Sequence, residues 1–365
     1  IKLHQQGDFD SAIKIYKLLF IPSIQDDPDF FKVIAWNMGA CYMGMNDPMS
    51  AARVYKKYLE KNATDDEFLS NFSLAVRTCL ESKAINEMEL IRGLISFKDI
   101  NSDFLHKVLF VDLFSRLTNQ LGTVRFLDIG ANDGVTFNPI RPYVQKYNWT
   151  GILIEPNPPV FRKLSINYNY IPNVYLENCC IGPTAGEAAF YVVRNPQELN
   201  NPVVDQISSL NKDHVLSHLR MFFPERADLE SLIDAVPVRI RVVDDILESR
   251  GFENIDVLIV DAEGYDFEIL RSINFSKLTP TIIIFESRHI PSHHTDALHN
   301  LLDGAGFDLV PIGADGLAIR KGFVSDEALG LYRRFSTVLG EVDHHSMANQ
   351  KAYDVITRLR HHIAL

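Results

Sequence analysis

The sequence predicts an all-α domain followed by an α/β domain with a doubly wound sheet. Up to about residue 115, Leu, Ile, Phe, Tyr and Ala recur at helical spacing, with almost no strand pattern. From Val124 onward, short apolar segments alternate with helical ones, which indicates a parallel sheet covered by helices on both faces. We place the helical domain at 1–118, the α/β domain at 119–325 and a C-terminal helical extension at 326–365.

Composition indicates an ordinary globular protein and disfavours two classes of partner. Of 365 residues, 46% are hydrophobic and 23% are charged. The net charge of -11 argues against nucleic acid as a partner, because phosphate contacts need clustered Lys and Arg. No apolar run has the length of a transmembrane segment. The four cysteines match no metal-binding spacing and suit a reducing compartment, so we expect a cytoplasmic protein.

Two segments of the helical domain resemble each other. Ala12 precedes Tyr16 by four residues, and Ala51 precedes Tyr55 in the same way. The spacing resembles tetratricopeptide (TPR) repeats, although the two alanines are 39 residues apart rather than about 34. A TPR-like domain would bind a protein partner or form a homodimer. An irregular helical cap is the alternative.

The segment from Val124 to Phe137 indicates a buried strand that enters a glycine-containing turn and then a helix. The turn has the spacing Asp128-x-Gly130-x-Asn132-x-Gly134. It lacks the glycine pattern of a dinucleotide site and the Gly-Lys-Ser/Thr of a phosphate loop. Asn is the non-glycine residue that best tolerates a left-handed backbone. The turn resembles the first motif of methyltransferases that use S-adenosylmethionine (SAM); a turn without a ligand is the alternative.

Later segments complete the predicted sheet. The residues of 188–193 and 238–243 alternate enough between apolar and polar for these segments to be antiparallel additions. The segments 255–260 and 281–285 are the most apolar, so we expect them to be central strands of the parallel sheet. A final pair could make a closing hairpin, and the acid of Asp244 is expected to cap a short helix that ends at Gly251. Beyond those at Val124 and 151–155, the predicted strands are 173–178, 188–193, 238–243, 255–260, 281–285, 307–312 and 316–320.

Five segments together resemble the FkbM family of SAM-dependent methyltransferases. They are Leu127–Gly134, Ile154–Pro158, Asn178–Gly182, Ile255–Gly264 and Ile283–His289. The resemblance implies a Rossmann-like class I methyltransferase fold with SAM as cofactor. It also implies O-methylation of a hydroxyl on a small-molecule or glycan acceptor, such as a sugar, glycolipid or specialised metabolite.

The resemblance also implies which residues bind SAM. Glu155 would accept hydrogen bonds from the ribose hydroxyls, since a carboxylate offers acceptors only. Asp128 would orient the turn or reach the methionine end, and Cys180 and Ile181 would pack against adenine. The alternatives are a surface acid for Glu155, a turn cap for Asp128 and core packing for the other two. The full predicted set is Asp128, Gly130, Asn132, Gly134, Glu155, Cys180 and Ile181.

Four residues are candidates for catalysis: Asp261, Glu263, Glu286 and His289. Methyl transfer to a hydroxyl requires a group that holds the oxygen and takes its proton, and His289 is our preferred base. Asp261 and Glu263 could instead bind Mg²⁺ or cap a helix.

Two other segments bear on specificity and on metal binding. His293, His294 and His299 follow His289 at spacings that suggest a zinc cluster, but Pro291 interrupts them, so a solvated loop opening a helix is favoured. Residues 194–234 form a long polar segment that we expect to be a lid or acceptor pocket.

Two competing functions remain. In one, the methyltransferase fold is inactive and the repeats act as a binding scaffold. In the other, the enzyme methylates nitrogen in protein or RNA; the acidic balance disfavours RNA, and the Asn/Asp-Pro-Pro-Tyr/Phe tetrapeptide of amino-methylating enzymes is absent. We predict an O-methyltransferase.

Overall fold

The structure is a computed structural model that divides into two compact units. One comprises described residues from 1–119 and from 325 onward, and the other comprises residues 120–324. Most of the predicted extension 326–365 lies outside the described residues. The structure describes residues 2–20, 25, 27–62, 65–81, 102–136, 138–199, 201, 204, 206–288, 290–312, 315–330, 332–333 and 336.

Helices make up the described part of the chain before the first strand. Aspartates open four of the described helices, because the side chains of Asp8, Asp27, Asp47 and Asp65 each accept a hydrogen bond from a backbone N–H three residues on. Consecutive helices pack in turn, α2 on α3, α3 on α4 and α4 on α5. Their likeness to TPR repeats stays a prediction. The helices are α1 Lys2–Gln5, α2 Phe9–Leu19, α3 Pro28–Gly44, α4 Pro48–Leu59, α5 Asp66–Glu81 and α6 Ser102–Leu121.

A search of the described helices for one both long enough and apolar enough to cross a membrane finds none.

The second unit contains a seven-stranded sheet and a smaller one. The large sheet has the order β3-β2-β1-β7-β8-β10-β9. Strand β10 pairs antiparallel with both β8 and β9, so it runs opposite to the other six strands of this sheet. The α/β prediction is confirmed, including the interior positions of β7 and β8. The strands are β1 Arg125–Ile129, β2 Thr150–Ile154, β3 Val174–Glu177, β4 Cys180–Ile181, β5 Gly186–Val193, β6 Ile233–Arg241, β7 Val257–Val260, β8 Ile282–Glu286, β9 Phe307–Ile312 and β10 Asp315–Arg320.

The helices of this unit connect the strands. A core of aliphatic side chains joins β1, β7 and β8 to α10, α11 and α12. The helices are α7 Arg141–Tyr147, α8 Pro158–Tyr168, α9 Lys212–Phe222, α10 Val243–Ser249, α11 Asp266–Ser272 and α12 Ser292–Gly304, with short 3-10 helices at Pro196–Leu199 and Leu229–Leu232. Because β1, β2, β7 and β8 are parallel, the residues that follow them meet at one edge of the sheet.

Two local predictions were wrong. The segments 188–193 and 238–243 do pair antiparallel, as β5 and β6, but they form a second sheet with the order β4-β6-β5 instead of extending the large one. This sheet has an apolar cluster of its own, built from Cys180, Phe190 and Val238. Helix α10 begins at Val243 after an N-cap Val242, so Asp244 lies in its first turn and does not cap it.

Candidate active site

The turn after β1 leaves no room for a side chain at its first glycine. Gly130 has φ +88°, and a Cβ there would lie 1.7 Å from the carbonyl oxygen of Asp261. Asn132 has φ +51°, which confirms the left-handed backbone predicted for it. Gly134 has φ +71°, and a Cβ there would lie 2.4 Å from the ring of Tyr168. The glycine spacing in the sequence therefore reflects close backbone packing at the carboxyl edge of the sheet.

Glu155 lies directly after β2 and is 7% exposed, so it is not a surface acid. One of its carboxylate oxygens accepts a hydrogen bond from the Asn132 N–H at 3.0 Å, and the other accepts one from the Asn157 N–H at 2.7 Å. A carboxylate offers acceptor sites only, two on each oxygen. The two amide bonds orient a buried carboxylate at the edge of a cavity, which suits recognition of a ribose diol.

Asp128, the fourth residue of β1, is 3% exposed and lines the same cavity. Its carboxyl accepts a hydrogen bond from the Asn138 amide at 2.8 Å. The side-chain amide oxygen of Asn138 in turn accepts bonds from the backbone N–H groups of Ile140 and Arg141 at the start of α7. Burial raises the pKa of Asp128 to about 7, and the bond from Asn138 opposes that shift.

One wall of the cavity is apolar. Cys180 and Ile181 are 5% and 2% exposed and line it together with Ile154, Val160 and Phe190. Burial raises the pKa of the Cys180 thiol to about 12, so this sulfur is protonated and behaves as a small apolar group. A flat aromatic ring would fit such a wall.

Carboxyl groups gather where β7 and β8 end. Asp261 and Glu263 line the cavity, and Glu286, the last residue of β8, is close enough for its charge to act on Asp261. The pKa of Asp261 is raised well above its ordinary value. The largest cause is desolvation by the surrounding protein, and the negative charges of Glu263 and Glu286 add to it. Burial, followed by Glu263 and Asp266, raises the pKa of Glu286 to about 9. At neutral pH Glu286 therefore holds a proton.

His289 lies outside the described residues, and its predicted role as base stays a prediction. His293 and His299 are exposed on α12, while His294 stacks on Phe267 with ring centroids 4.4 Å apart. Among the described residues, these histidines belong to no group of potential metal ligands.

A different pair of histidines reaches the site. The Nε2 atom of His214 lies 3.0 Å from a carboxylate oxygen of Glu263, and His218 lies one helical turn further along α9. Both come from the segment 194–234, which was expected to form the acceptor pocket. The sequence contained the signal, His-x₃-His, but 49 residues separate His214 from Glu263, and no local pattern joins them.

The Mg²⁺ site predicted at Asp261 and Glu263 stays a prediction. The charges of Glu263 and Glu286 both act on Asp261. Where described residues bring three potential ligands together, Glu263 is grouped with His214 and His218. Imidazole nitrogens are poor ligands for Mg²⁺, which prefers oxygen, so this second group would suit a different ion.

Comparison with known proteins gives a consistent assignment. The methyltransferase FkbM domain family matches residues 128–309. "Methyltransferase sdnD" from Sordaria araneosa is 24% identical over 222 residues, covering 58% of this chain and 83% of that protein.

Two solved structures are also similar. The methyltransferase FkbM from Methylobacillus flagellatus KT has a TM-score of 0.34 at 11% identity, covering 67% of this chain and 62% of that one. The chain thus spans less than two thirds of that protein. The CurJ carbon methyltransferase has a TM-score of 0.33 at 11% identity, covering 74% and 70%. These TM-scores are too low to support an argument about function.

Proposed function

Because the chain belongs to the FkbM methyltransferase family through residues 128–309, we propose that it methylates a hydroxyl oxygen of a small molecule with SAM as methyl donor. The acceptor class we favour is a sugar, a glycolipid headgroup or a specialised metabolite. The observation that carries the proposal is one continuous cavity. Its lining combines Glu155 and an apolar wall with the acid-base residues Asp261 and Glu263.

The lining residues fit SAM. Gly130 admits no side chain at the turn, Glu155 presents oriented acceptors for a diol, and Cys180 with Ile181 offers an apolar surface for adenine. When bound, SAM supplies a methyl group on a positively charged sulfur. The chain must then hold the acceptor oxygen in line with that methyl and remove the hydroxyl proton.

Among the described residues, Asp261 and Glu263 line the cavity and are the candidates to take the proton. Asp261 can act only in its ionised form, and its raised pKa then makes it a strong base, so it is our first choice. SAM would supply the methyl group and leave as S-adenosylhomocysteine, and Asp261 would take the proton of the acceptor hydroxyl on a carboxylate oxygen. His289 remains the second candidate for this role. Both are acid-base groups suited to a hydroxyl acceptor.

Calorimetric titration with SAM and S-adenosylhomocysteine tests the proposal. Glu155→Gln keeps the shape of the side chain but turns one acceptor into a donor that faces a backbone N–H. We expect it to weaken binding by about 1–3 kcal/mol, or about 5- to 150-fold. Glu187→Gln, at an exposed glutamate of β5, is the matched control and should bind as the wild type does.

The outcomes separate the competing functions. If the folded wild-type protein binds neither compound, the inactive scaffold becomes the better interpretation, and partners of the helical unit should be sought. If SAM binds, hydroxylated acceptors are screened with methyl-¹³C SAM. The carbon shift of the labelled product then distinguishes a methoxy group from a methyl on carbon or nitrogen.

A further inference from the structure

Two histidines of α9 meet the loop that carries Glu263. His214 and His218 are separated by one helical turn, so both imidazoles lie on the same face of α9. One ligand atom from each of His214, His218 and Glu263 lies within 4.8 Å of the other two. Ligands of a tetrahedral ion with bonds of about 2.0–2.2 Å lie about 3.4 Å apart, so small side-chain rotations would close the group around an ion.

The tautomer of His218 suits metal binding. Its Nδ1 lies 3.1 Å from the backbone carbonyl oxygen of His214 and must donate to it, because a carbonyl only accepts. The neutral ring therefore carries its lone pair on Nε2. A hydrogen bond from the second ring nitrogen to a backbone carbonyl is a common way to orient a metal-binding histidine.

Backbone geometry holds the carboxylate in place. Glu263 has φ +48°, a left-handed conformation that is unfavourable for a non-glycine residue and that the surrounding structure must hold. Its carbonyl oxygen accepts a hydrogen bond from the Ser209 hydroxyl at 2.9 Å. Asn211 caps the start of α9 by accepting bonds from the N–H groups of Asp213 and His214. These contacts fix the helix and the loop against each other at the point where the three side chains meet.

We propose that His214, His218 and Glu263 bind a divalent transition-metal ion at the edge of the cavity. Two imidazoles and one carboxylate favour Zn²⁺, Fe²⁺, Co²⁺ or Mn²⁺ over Mg²⁺ or Ca²⁺. Three protein ligands leave a coordination position open, as in catalytic metal sites. Because Glu263 also lines the cavity, the ion would lie beside the acceptor. The role of the ion would be to orient the acceptor hydroxyl and to lower its pKa, and this role rests on the proposed function.

Metal binding can be measured without SAM or acceptor. Chelator-treated full-length protein is titrated with Co²⁺, whose visible absorption reports nitrogen ligation, and with Zn²⁺ in competition. We expect one ion per chain, and at least about tenfold weaker binding in His214→Gln and in His218→Gln. His299→Gln, at an exposed histidine of α12, is the control and should bind as the wild type does.

The result that would overturn the site is equal Co²⁺ affinity in the wild type and in folded His218→Gln. The contact between His214 and Glu263 would then be only an ion pair. Circular dichroism shows whether each variant is folded. If His218→Gln does not fold, the same comparison of Co²⁺ affinity is made with His214→Gln. SAM titration of the same samples separates the two proposals. Metal binding without SAM binding leaves the metal site standing and removes the methyltransferase proposal, whereas SAM binding without metal does the reverse.

Discussion

Replacing Asp128 by Asn should change how the stability of the second unit depends on pH. Asp128 is 3% exposed, and burial raises its pKa from an ordinary 3.8 to about 7. Between these two pH values, the folded protein holds a proton on Asp128 that the unfolded chain has released. The wild-type free energy of unfolding therefore falls as pH rises through this window. An asparagine cannot titrate, so the variant lacks this contribution.

The magnitude follows from the width of the window. Each pH unit is worth about 1.4 kcal/mol for one proton, so about three units give about 4 kcal/mol. Between pH 4 and pH 7, the free energy of unfolding of Asp128→Asn should therefore rise relative to wild type by about 1.4 kcal/mol per pH unit. Above pH 7 the difference should level off. Other carboxyls titrate in both proteins, so the difference isolates Asp128 when the sites are independent.

Urea denaturation can follow this unit selectively. The chain has two tryptophans, Trp36 in α3 and Trp149, which is 1% exposed and directly precedes β2. In a Trp36→Phe background, fluorescence reports only the surroundings of Trp149. Unfolding is measured at pH 4, 5, 6, 7 and 8 for three proteins in this background: the one that keeps Asp128, the one with Asp128→Asn and the one with Asp296→Asn. The last removes an exposed carboxylate of α12 and is the control.

A difference between Asp128→Asn and wild type that stays constant from pH 4 to pH 7 would refute the reasoning. It would mean that Asp128 is ionised in the folded protein, so that its bond from Asn138 outweighs the cost of burial. A slope of the same size in Asp296→Asn would show that the effect comes from the loss of any carboxylate.

Two further predictions concern the turn and the base. Gly130→Ala should destabilise the second unit by more than the backbone cost of about 1–3 kcal/mol, because its Cβ would collide with the Asp261 carbonyl. Gly251→Ala is the control: Gly251 has a similar φ, but no atom lies within 4 Å of the position of its Cβ, so this variant should incur only the backbone cost. Urea denaturation compares the two variants. Asp261→Asn should lower turnover by about 10²–10⁴-fold with SAM binding retained, as measured by S-adenosylhomocysteine release and calorimetry. A loss of that size in His289→Gln, with Asp261→Asn active, would assign the proton to His289.

The fold could be predicted from local sequence because its main features depend on neighbouring residues. The apolar run of β7 predicted an interior strand, and all four of its residues are buried. Asn132 was expected in a left-handed turn because few other residues tolerate one, and it has φ +51°. The placement of β5 and β6 could not be predicted in this way. Alternating residues show that a strand has two different faces but not which sheet it joins.

The site was predictable only where one segment carries the whole signal. Glu155 follows its strand directly, and it is buried, so the alternative of a surface acid is excluded while its role in binding stays a prediction. The group around Glu263 combines residues 45 and 49 positions apart, so its assembly depends on how the segment 194–234 folds back. His289 and His293 have the same His-x₃-His spacing as His214 and His218, so spacing alone does not separate the two pairs. Only the tertiary structure distinguishes them.

The separate folding of that segment has a consequence for specificity. Residues from 193 to 229 build an apolar cluster of their own around Val204, Val215 and Leu219. The segment is joined to the sheet-edge loops by hydrogen bonds, from the Asn157 amide to the Ser208 hydroxyl at 3.1 Å and from the Ser209 hydroxyl to the Glu263 carbonyl.

Gly130 and Glu155 directly follow β1 and β2 of the large sheet and lie outside this cluster. Substitutions that repack the cluster can therefore move α9 and its histidines while the backbone of the large sheet is kept. In this arrangement the acceptor side of the cavity can change while the proposed SAM side is kept. A shared family core can then serve different acceptors.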